Sequence, residues 1–250
     1  MSDRSTERVR SAAINRRTLL RGMGAATLLA VTVPASSHLA SAERPPVELG
    51  PGRQLVLVSA DPSDPTTATL STWRWAGSEW RPALPALDSR LGAKGVTSNP
   101  TEADGYTPSG TYAIQYAFGQ YPSIGGTLPY RQTTSTDHWV DDPQSALYNT
   151  WQTGDAAGRW SSAEDLAEYE LAVVFDFNQH PVVPNANSAI FLHAGPSDET
   201  SAGCVTVGSF EQLAAIVRWL DPTEQPTITI GIGSHLPADP AELDRMLASP

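Results

Sequence analysis

From residue 54 to residue 232 the sequence repeats one pattern: a short apolar run rich in β-branched residues, then a stop made of Gly, Pro, Asn or Asp. Runs of this kind are too short for helices and read as strands. Gln54-Leu55-Val56-Leu57-Val58-Ser59 is halted by Asp61-Pro62, and residues 67–75 followed by Trp80 extend a meander. The turn cluster Asp104-Gly105-Tyr106-Thr107-Pro108-Ser109-Gly110 feeds a strand over residues 111–118. Residues 171–177, 188–193, 204–207 and 227–232 complete the set. With 21 prolines, 19 glycines and a single lysine, Lys94, the chain is rich in turn formers. The pattern predicts a mainly β fold, a β-sandwich or β-barrel with one or two covering helices.

The helices are expected late in the chain. In residues 209–220, Ser209 can cap the first turn, Gln212 stands at the capping-box spacing, and Leu213, Ile216, Val217 and Leu220 share one face. Residues 162–170 form a weaker helical segment. Asp239-Pro240 is placed to start a short helix in the C-terminal tail, residues 234–250.

Residues 1–42 read as an export signal. Arg16-Arg17 precedes an uncharged stretch from Gly22 to Val33, and Ala40-Ser41-Ala42 then supplies the small-x-small pattern of a cleavage site. The apolar run is shorter than the roughly 20 residues a spanning helix needs, so no stable membrane span is expected in the mature form. The paired arginines resemble the twin-arginine signal, which carries folded proteins across a membrane. The expected location is therefore periplasmic, cell-wall-associated or secreted. Residues 43–52 form a Pro-containing linker, and residues 53–233 the functional domain.

Charge follows the same division. The net charge is −11, but residues 1–42 hold six arginines against two acids, leaving ten basic and 25 acidic groups beyond them. A body that acidic repels phosphate backbones, so nucleic acid is excluded as a partner. The chain has one cysteine, Cys204, and so no disulfide within it.

The chemistry concentrates between residues 188 and 208. His193 ends one expected strand, and Cys204 begins the next after Thr200-Ser201-Ala202-Gly203. If the two strands are neighbours, the imidazole can take the thiol proton and hold a thiolate–imidazolium pair. Gly203 leaves room for a bound carbonyl, and the amides of Gly203 and Cys204 can point at an oxyanion. Spacing alone also admits a buried, inert thiol beside an unrelated histidine.

The runs Ala189-Ile190-Phe191-Leu192-His193-Ala194-Gly195 and Thr200-Ser201-Ala202-Gly203-Cys204-Val205 resemble the active-site region of the L,D-transpeptidases, the YkuD family. Residues 104–112 resemble that family's Thr-Pro-x-Gly-x-aromatic strand start, and residues 173–178 the strand before its histidine. The resemblance spans roughly residues 53–233. Cys204 follows His193 by only 11 positions and Ala202 stands where the family often has His, Arg or Asn, which marks a short-loop, divergent branch. The resemblance implies acyl transfer on peptidoglycan stem peptides. Cys204 would attack the amide before a terminal D-alanine, and His193 would move the proton. The Gly203 and Cys204 amides would form the oxyanion hole, with Ser201 or a backbone carbonyl orienting His193. The acceptor would be the side-chain amine of a second stem, giving a 3→3 cross-link. It implies no cofactor, no metal, and carbapenem-type β-lactams as covalent inhibitors. Water as acceptor, or a catalytically weak wall-binding module, are the rival outcomes.

Other residues carry weaker signals. The segment from His138 to Asp142 reads first as an ordinary surface loop whose aromatics cover the core, since two adjacent carboxylates are too few ligands for a calcium loop; shaping a groove, or holding Ca²⁺ through Asp141 and Asp142, is the alternative. His180 and His235, each near a proline, read as solvated. No Cys/His spacing suits zinc. Trp73, Trp75 and Trp80 read as core cover rather than a sugar platform.

Overall fold

The computed structural model describes residues 52–196 and 198–233. In chain order the strands are β1 (Gln54–Ala60), β2 (Thr67–Trp75), β3 (Trp80–Pro82), β4 (Leu87–Arg90), β5 (Val96–Thr97), β6 (Thr107–Pro108), β7 (Gly110–Gly119), β8 (Tyr130–Gln132), β9 (Asp137–Val140), β10 (Thr150–Thr153), β11 (Ala163–Asp165), β12 (Leu171–Phe175), β13 (Phe191–Ala194), β14 (Val205–Val207) and β15 (Thr227–Ile232). Helix α1 (Phe210–Trp219) follows β14. The large sheet runs β1-β15-β7-β12-β13-β14-β4-β2, and β2 returns to pair with β1, closing the sheet on itself. The fold is mainly β and barrel-like, as the turn-punctuated runs predict.

Closure explains the composition of β1. Val56, Val58 and Ala60 face the main core, while Leu55 and Leu57 pack outward against Trp73 and Trp80, with Trp75 against them. A strand covered on both faces loses its alternation and reads as a continuous apolar run. The tryptophans are cover for this strand. Helix α1 begins as the capping residues require: the Ser209 hydroxyl accepts the Gln212 N–H at 3.3 Å. Its buried face, Leu213, Ala214, Ile216 and Val217, packs with Leu171, Val173, Leu192 and Val205 on one side of the sheet. Gln54 fastens the helix end to β1, donating to Trp219 O (2.8 Å) and accepting the Asp221 N–H (2.7 Å).

The opposite side of β7, β12 and β13 is covered by a separate three-stranded sheet, β10-β9-β11. Phe118, Trp139, Leu166, Val174 and Phe191 fill the space between, with Tyr116, Trp151 and Tyr169 around them. Three sequence expectations fail in this layer. Residues 162–170 are not a helix but β11 and one 3₁₀ turn, Leu166–Glu168. Ala163–Asp165 gives its backbone to β9, and the Asp165 carboxylate caps the turn by accepting the Ala167 N–H. His138 does not lie in a loop either; it stands in β9, paired with Gln152 and Asp165. Asp142 spends its carboxylate on the amides of Gln144 and Ser161, which ties the turn after β9 to the sheet. Finally, residues 188–190 precede the strand they were assigned to, because Asn187 (φ 71°) and Ala189 (φ 52°) are left-handed and break any ladder. The tail helix expected after Asp239, and His235, lie outside the described residues, as does the export segment. His180 is exposed as expected, its Nδ1 2.7 Å from the Asp176 carboxylate.

Candidate active site

β13 and β14 are adjacent and parallel, with Leu192 opposite Val205 and His193 opposite Thr206. Leu192 and Val205 face the helix side, so their neighbours Phe191, His193 and Cys204 belong to the other face, beneath the small sheet. His193 and Cys204 are therefore diagonal: one strand across and two residues along. With strands about 4.8 Å apart and a rise near 3.3 Å per residue, such Cα atoms lie roughly 8 Å apart, within reach of a His and a Cys side chain. The sequence expected these strands to be neighbours, and the parallel register brings the pair to one face.

Cys204 is 7 % exposed. Its Sγ accepts the Phe191 N–H at 3.3 Å and donates to Ala189 O at 3.4 Å. The left-handed backbone at Ala189 aims that carbonyl at the thiol, and Asn149 holds the turn by accepting the Ala189 N–H at 3.3 Å. Asn149 is itself fixed by Trp139 Nε1 (2.7 Å) and by donation to Phe177 O and Asn178 O. Burial pushes the thiol pKa up to about 12; the Phe191 N–H opposes the shift and the Glu164 charge adds to it. Burial likewise lowers His193 below its ordinary 6.5, against a raising effect of the Ala194 carbonyl. At neutral pH the resting pair is thus a neutral thiol and a neutral imidazole, not the thiolate–imidazolium pair the residue types suggest. Desolvation disfavours both charged forms.

The supporting residues differ from expectation in the same region. His193 Nδ1 donates to Ala194 O at 2.9 Å, which leaves Nε2 as the basic nitrogen. The backbone carbonyl, not Ser201, orients the imidazole. The Ser201 hydroxyl is spent on the turn, donating to Cys204 O (2.6 Å) and accepting the Gly203 N–H (3.1 Å). The Gly203 amide expected to face an oxyanion is therefore occupied in the resting state. Gly203 is required all the same: its φ is +152°, and a Cβ would stand 2.8 Å from Ile190 and 2.9 Å from Tyr106 O. Tyr106 belongs to the Asp104–Gly110 turn cluster. Asp104 accepts its N–H, and Thr107 Oγ1 accepts the Gly92 N–H beside the Gly92–Ser201 bridge. The conspicuous turn cluster is thus the buttress of the cysteine loop.

Sequence reasoning missed two neighbours. The Tyr169 ring stands edge-on to His193, centroids 5.1 Å apart, and also touches Phe118 and Phe191. Its hydroxyl donates to Glu164 Oε1 at 2.8 Å. The one available signal, an aromatic in the segment before β12, was absorbed into the helix expected there.

Together these features place a cysteine and a histidine on one face of a closed β scaffold with one covering helix. The family description "L,D-transpeptidase catalytic domain" (YkuD) matches residues 88–230, more than half the chain, and the protein belongs to that family. No curated protein matches the chain. Among solved structures it is similar to Bd1075 of Bdellovibrio bacteriovorus, at 17% identity and TM-score 0.43, over 80% of this chain and 55% of that one. It is also similar to the helical cell shape determining protein Pgp2 of Campylobacter jejuni, at 14% identity and TM-score 0.39, over 78% and 52%. The chain spans about half the length of these structures.

Proposed function

We propose that the protein is an exported cysteine acyltransferase that forms 3→3 cross-links between peptidoglycan stem peptides. The observation that carries this reading is the diagonal placement of His193 and Cys204 on one face of adjacent parallel strands, with Nε2 as the available base. In the first half-reaction the Cys204 sulfur bonds to the carbonyl carbon before a terminal D-alanine as its proton passes to His193 Nε2. The carbon–nitrogen bond then breaks, and the departing amine takes the proton from the imidazolium. In the second, an acceptor amine bonds to the thioester carbon and gives a proton to His193; the carbon–sulfur bond breaks and the thiolate recovers that proton. The two charges exist only during transfer, which suits a site whose resting members are both neutral.

The Cys204 amide, and the Gly203 amide once it leaves Ser201, would hold the oxyanion. The N-terminal pattern of Arg16-Arg17, apolar run and Ala40-Ser41-Ala42 supports export by the twin-arginine route. One observation favours a rival, a wall-binding module with an inert thiol: Cys204 is 7 % exposed and its pKa is raised. Product analysis on a tetrapeptide-containing muropeptide decides between them. Cross-linked product with D-alanine release supports transfer; D-alanine release alone means that water is the acceptor; neither, with the peptide bound, means a binding module.

A further inference from the structure

We propose that Glu164, held by the Tyr169 hydroxyl, is the docking group for the ammonium of the acyl acceptor. The inference rests on the acyl-transfer reading and names the residue that selects the second substrate. Glu164 lies in β11, in the layer covering the site, and is half-buried. One of its carboxylate oxygens is fixed by Tyr169, whose ring stands against His193. The other accepts no hydrogen bond among the described residues, and Glu164 makes no ion pair among them. Its charge is felt at the Cys204 sulfur. Glu164 is thus held through Tyr169, whose ring stands against His193, with its second carboxylate oxygen accepting no hydrogen bond among the described residues.

The chemistry of the acceptor matches that placement. A primary amine reaches the site as an ammonium and has two protons to lose, one to become a nucleophile and one as the new amide forms. The Glu164 carboxylate can receive the first and His193 Nε2 the second, which the departing thiolate then regains. Burial together with the neighbouring Asp141, Glu168 and Asp165 charges raises the Glu164 pKa, while the Tyr169 bond lowers it; the net rise makes it a better proton acceptor. The Asp141 carboxylate nearby carries a buried oxygen with no hydrogen-bond partner among the described residues, so the charge around Glu164 favours a cation.

The test uses the full chain, a tetrapeptide donor, and two acceptors: a primary alkylamine, cationic at neutral pH, and hydroxylamine, which is uncharged there. The readout is the ratio of transfer to the amine over transfer to hydroxylamine. For Glu164→Gln, which keeps an oxygen for the Tyr169 hydroxyl, the ratio should fall about tenfold or more, the scale of a lost charge-assisted hydrogen bond. Glu164→Asp should recover part of it. A ratio unchanged in Glu164→Gln, or both acceptors slowed equally, would overturn the docking role while leaving the transferase reading intact. Absence of any acyl-enzyme on Cys204 in the wild type would overturn both.

Discussion

The two faces of β7, β12 and β13 are built on different principles. Under α1 the packing is aliphatic, Leu171, Val173, Leu192 and Val205 meeting Leu213, Ile216 and Val217, and the same core continues into the Phe175, Phe177 and Tyr112 rings. The face toward the small sheet mixes aromatic rings with a hydrogen-bonded frame, in which Asn149 holds Trp139 and Ala189, and Ala189 in turn holds the Cys204 thiol. Apolar packing is set by shape and volume, with no preferred bond direction. A hydrogen-bonded frame instead fixes the orientation of each group it holds. The helix side therefore supplies stability, and the other side fixes the position and charge state of two side chains.

The largest expected effect concerns that charge state. With its pKa near 12 instead of the ordinary 9.0, Cys204 should react with a small alkylating agent at pH 8 at least tens of times more slowly than an exposed thiol, since the higher nucleophilicity of its thiolate offsets only part of the thiolate's scarcity. Urea should abolish the difference. Reaction at the ordinary rate in the folded protein would mean the frame does not hold the thiol neutral. Because the folded pKa lies above the unfolded one, the thiol's stabilising contribution is complete below pH 9 and is lost as pH rises toward 12. A pH series of urea melts should show that loss in the wild type and not in Cys204→Ser.

Two truncations break the two faces separately. Leu213→Ala empties a fully buried site under α1 and should cost about 2–5 kcal/mol in urea unfolding, with Cys204 reactivity per folded molecule unchanged. Asn149→Ala should cost about 2–3 kcal/mol, since buried groups lose their partners. It should also speed alkylation of Cys204, because the Ala189 carbonyl is no longer held. A matched stability loss without faster alkylation would show that the Asn149 frame is structural only. The smallest effect is on the acid side. His193 titrates below 6.5, so the folded state loses stability, and the imidazole its basic form, only as pH falls below 6.5 toward that lowered value. The acid limb of D-alanine release should accordingly lie below 6.5.

The same contrast explains what was legible in the sequence. The helix side was: the continuous apolar run of β1 and the Ser209-capped face of α1 are local patterns with one physical reading. That His193 and Cys204 share one face of neighbouring strands was legible because a strand-end histidine and a Gly-Cys turn stand close in the chain. The frame was not. Glu164 and Tyr169 lie in a polar stretch whose spacing suits a helix, and only the demand of β9 for a partner makes β11 of it. Ser201 and a backbone carbonyl were both open as the partner of His193; the carbonyl takes that place because a turn with its own unsatisfied amide claims the Ser201 hydroxyl. Left-handed Ala189 gave no sign at all, since alanine has no preference for that conformation.

The central claim is that Cys204 and His193, neutral at rest, become a charged pair only as a bond forms to sulfur. It is tested most directly by intact-protein mass spectrometry after exposure to a carbapenem at neutral pH, since opening of the strained ring leaves a thioester and needs a proton acceptor at the same moment. The account predicts a covalent adduct on the wild type, none on Cys204→Ser, and much slower formation on His193→Ala. A wild-type mass left unchanged by the carbapenem, with Cys204 still modified by a small alkylating agent, would contradict it: the thiol would be reactive without an assembled acyl-transfer site.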